Sequence, residues 1–228
     1  LLLSFPHSGR NYSYILDRNV ELALKDLRVS EDSYLDLLLD KKSLNYNYLI
    51  ANFPRIFVDV NRSPLEIDYS MWKGRFNGFW FDRTRKVQSG IGVIPKVCFK
   101  GEQIYNSLLL FKEARQRLLK YYFPYHKKIK SFINQIKKKH NKVIILDCHS
   151  MSSEVVEKDV DIVLSDNNSK SSNILIIKIL EHFFDKYGYK VSLNKPFQGG
   201  FITKYYGKPE DNIHVVQIEI NKKLYLIE

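Results

Sequence analysis

The chain has 228 residues and a formal net charge of +11, with 44% hydrophobic and 14% aromatic residues and two cysteines. A composition this apolar can bury a full core, which excludes disorder, collagen-like repeats and low-complexity scaffolds, and one domain over residues 1–228 is the expectation. Two cysteines build neither a disulfide framework nor a four-cysteine zinc site, no apolar run approaches the ~18 residues of a membrane span, and Leu1–Arg10 lacks the features of a signal peptide; a cytoplasmic location is expected.

Short apolar stretches alternate with helix-length amphipathic ones, the pattern of an α/β architecture with mostly parallel strands. In chain order the reading is a strand at Leu1–Phe5, helices at Val20–Leu27 and Ser33–Asp40, and a strand at Arg55–Val60. A long excursion follows at about 68–100, whose Gly74–Pro95 part is polar; Trp80 and Phe81 argue against disorder there. Gln103–Lys139 is a long helix that Pro124 should kink or split. Beyond it come strands at Val143–Leu146 and Asp161–Leu164, then a helix at Ser172–Tyr187 with Ser171 or Ser172 as N-cap and Gly188 just past its end. Strands at Lys190–Leu193 and His214–Ile220 complete the chain. Lys120–Lys142 holds eight lysines and no acid, so eight of the eleven net charges are local. Because Ile129, Phe132, Ile133 and Ile136 recur at helical spacing, these lysines read as a solvated helix face, with a nucleic-acid surface as the alternative class.

His182, His140 and His214 are ordinary in pattern and read as structural, whereas His7 and His149 each follow a strand's carboxyl end, where open α/β sheets collect ligands. With a period of two, Asp147 and His149 share one direction and Leu146 and Cys148 the other, so Cys148 reads as core and Asp147 as a group able to orient the His149 ring. Val216, Ile218 and Ile220 likewise face away from Gln217, Glu219 and Asn221, giving either an edge strand with one wet face or a carboxylate aimed into a site. Asp59-Val60-Asn61-Arg62 offers an arginine fork beside an amide for a carboxylate ligand, or a salt bridge to Asp59. Two imidazoles, a carboxylate and an anion-binding arginine at strand ends are the parts of a metal hydrolase. Ser8 and Ser150 adjoin the histidines, but no separate base and orienter accompany them, which argues against a serine nucleophile.

The sequence resembles the N-formylglutamate amidohydrolase (N-formylglutamate deformylase) family. The resemblance rests on Ser4-Phe-Pro-His7-Ser-Gly9, Pro54-Arg55-Ile-Phe-Val-Asp59-Val-Asn61-Arg62-Ser-Pro64, Tyr121-Tyr-Phe-Pro-Tyr125-His126, Leu146-Asp147-Cys-His149-Ser150-Met, Asn194-Lys-Pro196-Phe-Gln-Gly199-Gly200, Tyr206-Gly207-Lys-Pro209 and Gln217-Ile-Glu219-Ile-Asn221 followed by Leu224-Tyr225. A wider resemblance is to zinc carboxypeptidases and aspartoacylases. It implies a three-layer α/β/α sandwich with a mixed, mostly parallel central sheet, phosphorylase/hydrolase-like, and hydrolysis of an N-formyl or N-acyl amino acid, N-formyl-L-glutamate first, with another N-acyl amino acid or a peptide as the alternative substrate.

Carried over, the resemblance makes His7 and His149 ligands of one zinc ion, or of another divalent metal in its place, and Glu219 the base acting on water. Asn61 and Arg62 would hold the substrate carboxylate, and Arg55 would polarise the scissile carbonyl. Zinc carboxypeptidases take a Glu three residues after the first His, where this chain has Arg10, so the third ligand is expected from Ser30-Glu31-Asp32-Ser33-Tyr34, Asp32 ahead of Glu31, against a helix N-cap for both. His126, Asn194, Gly200 and Tyr206 are the remaining expected substrate-side residues. The expected partner is a small molecule and no membrane is expected, with nucleic acid kept only as the alternative class carried by the Lys120–Lys142 helix.

Overall fold

The computed structural model describes residues 1–16, 20, 22–40, 46–74 and 81–227. In chain order the elements are β1 (Leu2–Phe5), α1 (Ser13–Leu16), α2 (Leu24–Arg28), β2 (Asn47–Ile50), β3 (Trp72–Lys73), α3 (Arg85–Gln88), β4 (Leu109–Leu110), α4 (Phe111–Arg117), α5 (Phe123–His140), β5 (Val143–Met151), β6 (Ile162–Ser165), α6 (Ile174–Lys186), β7 (Val191–Leu193), α7 (Phe201–Tyr206) and β8 (Ile213–Asn221). They fall into two compact units, Leu1–Phe5 with Tyr34–Ile50 and Ile129–Glu228, and Pro6–Ser33 with Ala51–Lys128.

The first unit holds a six-stranded sheet in the order β2-β1-β5-β8-β6-β7. Every neighbouring pair is parallel except β6 with β8, so the sheet is mixed and mostly parallel, as expected. Alternation sorts the side chains onto two faces. On one face Ile162, Leu164, Val216 and Ile218 pack against Ile177 of α6, while Leu3 and Phe5 pack with Leu35 from a 3-10 turn at Leu35–Leu37. Cys148 belongs to this apolar face, as its period predicts. From the other face Gln217 reaches the amide of Gly200 at the start of α7, so helices flank the sheet on both sides.

The polar stripe of β8 is not an edge feature. β8 lies between β5 and β6, and Gln217, Glu219 and Asn221 are all buried. α6 starts at Ile174, two residues later than expected, and is capped by Asn173, whose side chain accepts the Leu175 N–H; Ser171 instead donates its hydroxyl to the Val215 carbonyl. Gly188 follows the helix with φ 81°, the left-handed turn that glycine takes without cost. β2, an edge strand of intermediate burial, escaped the sequence reading because half-exposed Asn47–Ile50 carries no clean alternation.

The second unit is mostly turns around a buried cation. The strand expected at Arg55–Val60 is instead a run of turns. Ile56, Phe57, Val58 and Val60 are buried there, but their backbone is satisfied outside any ladder: Asp59 N–H donates to the Val93 carbonyl, and the Phe57 carbonyl accepts from buried Arg117 at 3.1 Å. The Arg117 guanidinium also donates to the Tyr105 hydroxyl and lies 4.5 Å over the Phe57 ring. An apolar run with a buried arginine as its partner mimics a core strand in sequence.

Helix expectations need similar correction. The Val20–Leu27 helix is only Leu24–Arg28, with Glu21 outside the described residues, and Ser33–Asp40 is the single 3-10 turn. The long helix starts at Phe111 rather than Gln103, and Pro124 neither splits nor ends it: a π-helical turn at Leu118–Tyr122 sits immediately before the proline and absorbs the mismatch in hydrogen bonding. Ile129, Ile133 and Ile136 are buried, whereas Lys127, Lys128, Lys130, Lys138 and Lys139 are exposed, the solvated face that the spacing predicts. The 68–100 excursion contains β3 and α3; Trp80 lies outside the described residues. Among the described residues no helix is long and apolar enough to cross a membrane.

Candidate metal centre and active site

β1 ends at Phe5, and the turn beginning at Pro6 carries His7 into a buried position. Gly9 is required here, because a Cβ would lie 2.1 Å from the Phe53 carbonyl oxygen. The His7 carbonyl accepts the Asp32 N–H, and His7 Nδ1 lies 3.6 Å from Asp32 Oδ2. The other ring nitrogen, Nε2, is 2.8 Å from Asp59 Oδ1. Asp59 is itself held by the Asn61 N–H on Oδ1 and by Arg55 on Oδ2 at 2.9 Å. Burial pushes its carboxyl up, but the charges of His7, Arg55 and Arg62 outweigh burial and hold it well below the usual carboxylate range. Glu31, adjacent to Asp32, is bonded through Oε1 to Arg28 at 2.6 Å.

Arg62 is buried, and burial pulls its guanidinium below arginine's ordinary value, against the opposing pull of Asp59. Its Nε donates to the Ile91 carbonyl and one terminal nitrogen donates to the Asn61 carbonyl. The surrounding backbone is clamped from the α5 end: Tyr122 OH donates to the Arg62 carbonyl at 2.8 Å, and His126 Nε2 lies 2.9 Å from the Val60 carbonyl. The two rings touch, with centroids 4.3 Å apart, as residues four apart on a helix do. The structure thus gives His126 a backbone partner two residues from Arg62, a role that spacing does not suggest.

In the sheet unit, β5 and β8 present Asp147, His149, Gln217 and Glu219 on one face, because Asp147 pairs with Gln217 and His149 with Glu219 in register. His149 Nε2 lies 3.1 Å from Asp147 Oδ2, and Asp147 Oδ1 accepts from Ser4 Oγ on β1 at 2.9 Å. Glu219 Oε1 accepts from Gln217 Nε2, whose carbonyl accepts the Gly200 N–H, both at 2.7 Å. Asn194 has φ 56° and ties its own loop, accepting from the N–H groups of Asp166 and Asn168 and donating to Asp166 Oδ1. Tyr206 is buried on α7, and burial raises its hydroxyl well above the ordinary tyrosine value.

His7, Asp32 and His149 are each buried, and each offers a ligand atom of a kind that could hold a metal ion. Nε2 of each histidine lies against a carboxylate, which orients the ring. Two imidazoles oriented in this way and one carboxylate are a donor set suited to a divalent ion. Of the two adjacent acids, Asp32 lies beside His7 while Glu31 is bonded to Arg28. Asp59 is the member that sequence reading took only as an alternative partner for Arg62.

A sequence model of the N-formylglutamate amidohydrolase family matches residues 1–226. The chain belongs to this family. Two relatives, the N-formylglutamate deformylases of Pseudomonas aeruginosa and Pseudomonas putida, are each 28% identical to it across the whole chain and 82% of their own length. The crystal structure of N-formylglutamate amidohydrolase from Ralstonia eutropha superposes with a TM-score of 0.91 at 26% identity, covering 99% of this chain and 83% of that one. A gene product of Agrobacterium tumefaciens shares the fold, with a TM-score of 0.68 at 20% identity over 98% of this chain and 81% of its own. Family membership makes the chain a hydrolase of an amide bond.

Proposed function

We propose that the protein hydrolyses N-formyl-L-glutamate to L-glutamate and formate, using one divalent ion, zinc first, held by His7, Asp32 and His149. The observation that carries this reading is the buried His7/Asp32/His149 group, with a carboxylate behind each imidazole. Such an ion would supply a Lewis acid for the formyl oxygen and would lower the pKa of a water molecule toward ~7. The chain's own residues do the rest. Glu219 accepts a proton from the attacking water and returns it to the departing amine nitrogen, so the formyl C–N bond breaks as the C–O bond forms. Arg62 and Asn61 hold the substrate α-carboxylate, on a backbone segment that Tyr122 and His126 fasten. Arg55 secures Asp59 and, by the family resemblance, stabilises the oxyanion. Gly200 supports Glu219 through Gln217, while Asn194 and Tyr206 shape the neighbouring loop and helix.

The test is metal analysis of the purified protein beside formate release from N-formyl-L-glutamate. About one ion per chain, and turnover that a chelator abolishes and zinc restores, is the expected result. No bound metal and no formate release after zinc addition would overturn the reading.

A further inference from the structure

β8 places two polar side chains, Gln217 and Glu219, on the same face one pleat apart, both buried in the middle of the sheet. A buried amide has two ends of opposite hydrogen-bonding character, and which end faces which neighbour is settled by the neighbour that can play only one role. Here that neighbour is the Gly200 N–H, which can only donate. It therefore takes the Gln217 carbonyl oxygen, at 2.7 Å, and the amide NH2 is turned onto Glu219 Oε1, also at 2.7 Å.

The loop before α7 is built to aim that N–H. Gly199 has φ 102°, and a Cβ on it would lie 2.7 Å from the Thr203 side chain, so the chain can turn there only with glycine. Gly200 follows in extended backbone as the residue that opens the helix. The relay thus runs from a loop through one side chain to a carboxylate, with every member in the sheet unit.

We infer that Gln217 is a positioning residue for the reaction: by donating to Oε1 it fixes the Glu219 carboxylate in one rotamer, with its acceptor oxygens aimed for the proton of water. The inference rests on Glu219 being the base, and a positioning role differs from packing in what it perturbs. Loss of the amide leaves substrate binding and metal occupancy intact and lowers the rate of the proton-transfer step.

The experiment compares Gln217→Met, similar in length but without the donor, with the wild type on N-formyl-L-glutamate, and repeats the substitution in a Glu219→Asp background, where the shortened carboxylate is beyond reach of the amide. Expected is a kcat about 10- to 100-fold lower with KM changed less than about twofold and metal content unchanged, shrinking to less than about threefold in the Glu219→Asp background. Should Gln217→Met fail to fold, isosteric Gln217→Glu retains an acceptor for the Gly200 N–H while turning a carboxylate toward Glu219, and a lower kcat at constant KM is again expected. A wild-type kcat in the variant that folds, or an equal loss with and without Glu219→Asp, overturns the inference. Should Glu219→Gln and Glu219→Asp themselves turn over at the wild-type rate, the choice of base has failed instead, and the inference falls with it.

Discussion

His149 and Glu219 occupy one rung of the parallel β5–β8 pairing, so an imidazole and a carboxylate leave the middle of the mixed sheet side by side on the same face. Under the proposed function, two central strands would carry one metal ligand and the proton acceptor. The pleat sets the face from which each side chain leaves.

Replacing Glu219 by Gln keeps the shape of the side chain and removes its basicity. The variant is expected to retain its metal, by elemental analysis, while kcat falls by on the order of 10²- to 10⁴-fold. A rate close to wild type would place the base elsewhere.

The carboxylates behind the two histidines are separately testable. Asp59→Asn and Asp147→Asn leave His7, Asp32 and His149 in the chain but weaken the groups that orient the rings. Each is expected to lower metal affinity by about 10- to 100-fold, read by competition with a chromophoric chelator.

Tyr122→Phe keeps the ring and removes the hydrogen bond from the phenol to the Arg62 carbonyl. Since a bond of this kind contributes about 1 kcal/mol, KM for a carboxylate-bearing substrate should rise by roughly fivefold, with kcat less affected. The wild type should also discriminate strongly against a substrate whose α-carboxylate is amidated.

His214 ties the start of α6 to β8: its Nδ1 accepts the Asn173 N–H, and burial, reinforced by Lys142, holds its pKa below the ordinary histidine value. The folded state therefore binds its proton less readily than the unfolded chain does. Stability from this group is present above about pH 6.5 and is lost as the pH falls through the depressed folded value. Melting temperature measured against pH should drop less steeply on the acid side in His214→Gln than in the wild type.

Much of this protein is local in origin and therefore legible in its sequence. The alternation of Asp147-Cys148-His149 and of Gln217-Ile218-Glu219 determines which side chains share a face, because the strand period is two whatever surrounds it. The 3.6-residue period of α5 likewise put its lysines in water. The apolar run Ile56–Val60 misled, since a buried arginine can satisfy backbone carbonyls that a ladder would otherwise satisfy. Glu31 and Asp32 are adjacent and chemically alike, so no period separates them. A backbone bond from Asp32 to the His7 carbonyl and the pull of Arg28 on Glu31 do so in the folded chain. Asp59 reaches His7 across 52 residues, and Gln217 meets Gly200 across 17. What the sequence determined by itself was therefore the cast of chemical groups and the direction of those on strands. Only the tertiary structure decided which nitrogen of each histidine is committed and which carboxylate stands behind it, because those choices follow from contacts between segments whose spacing along the chain carries no trace of the meeting.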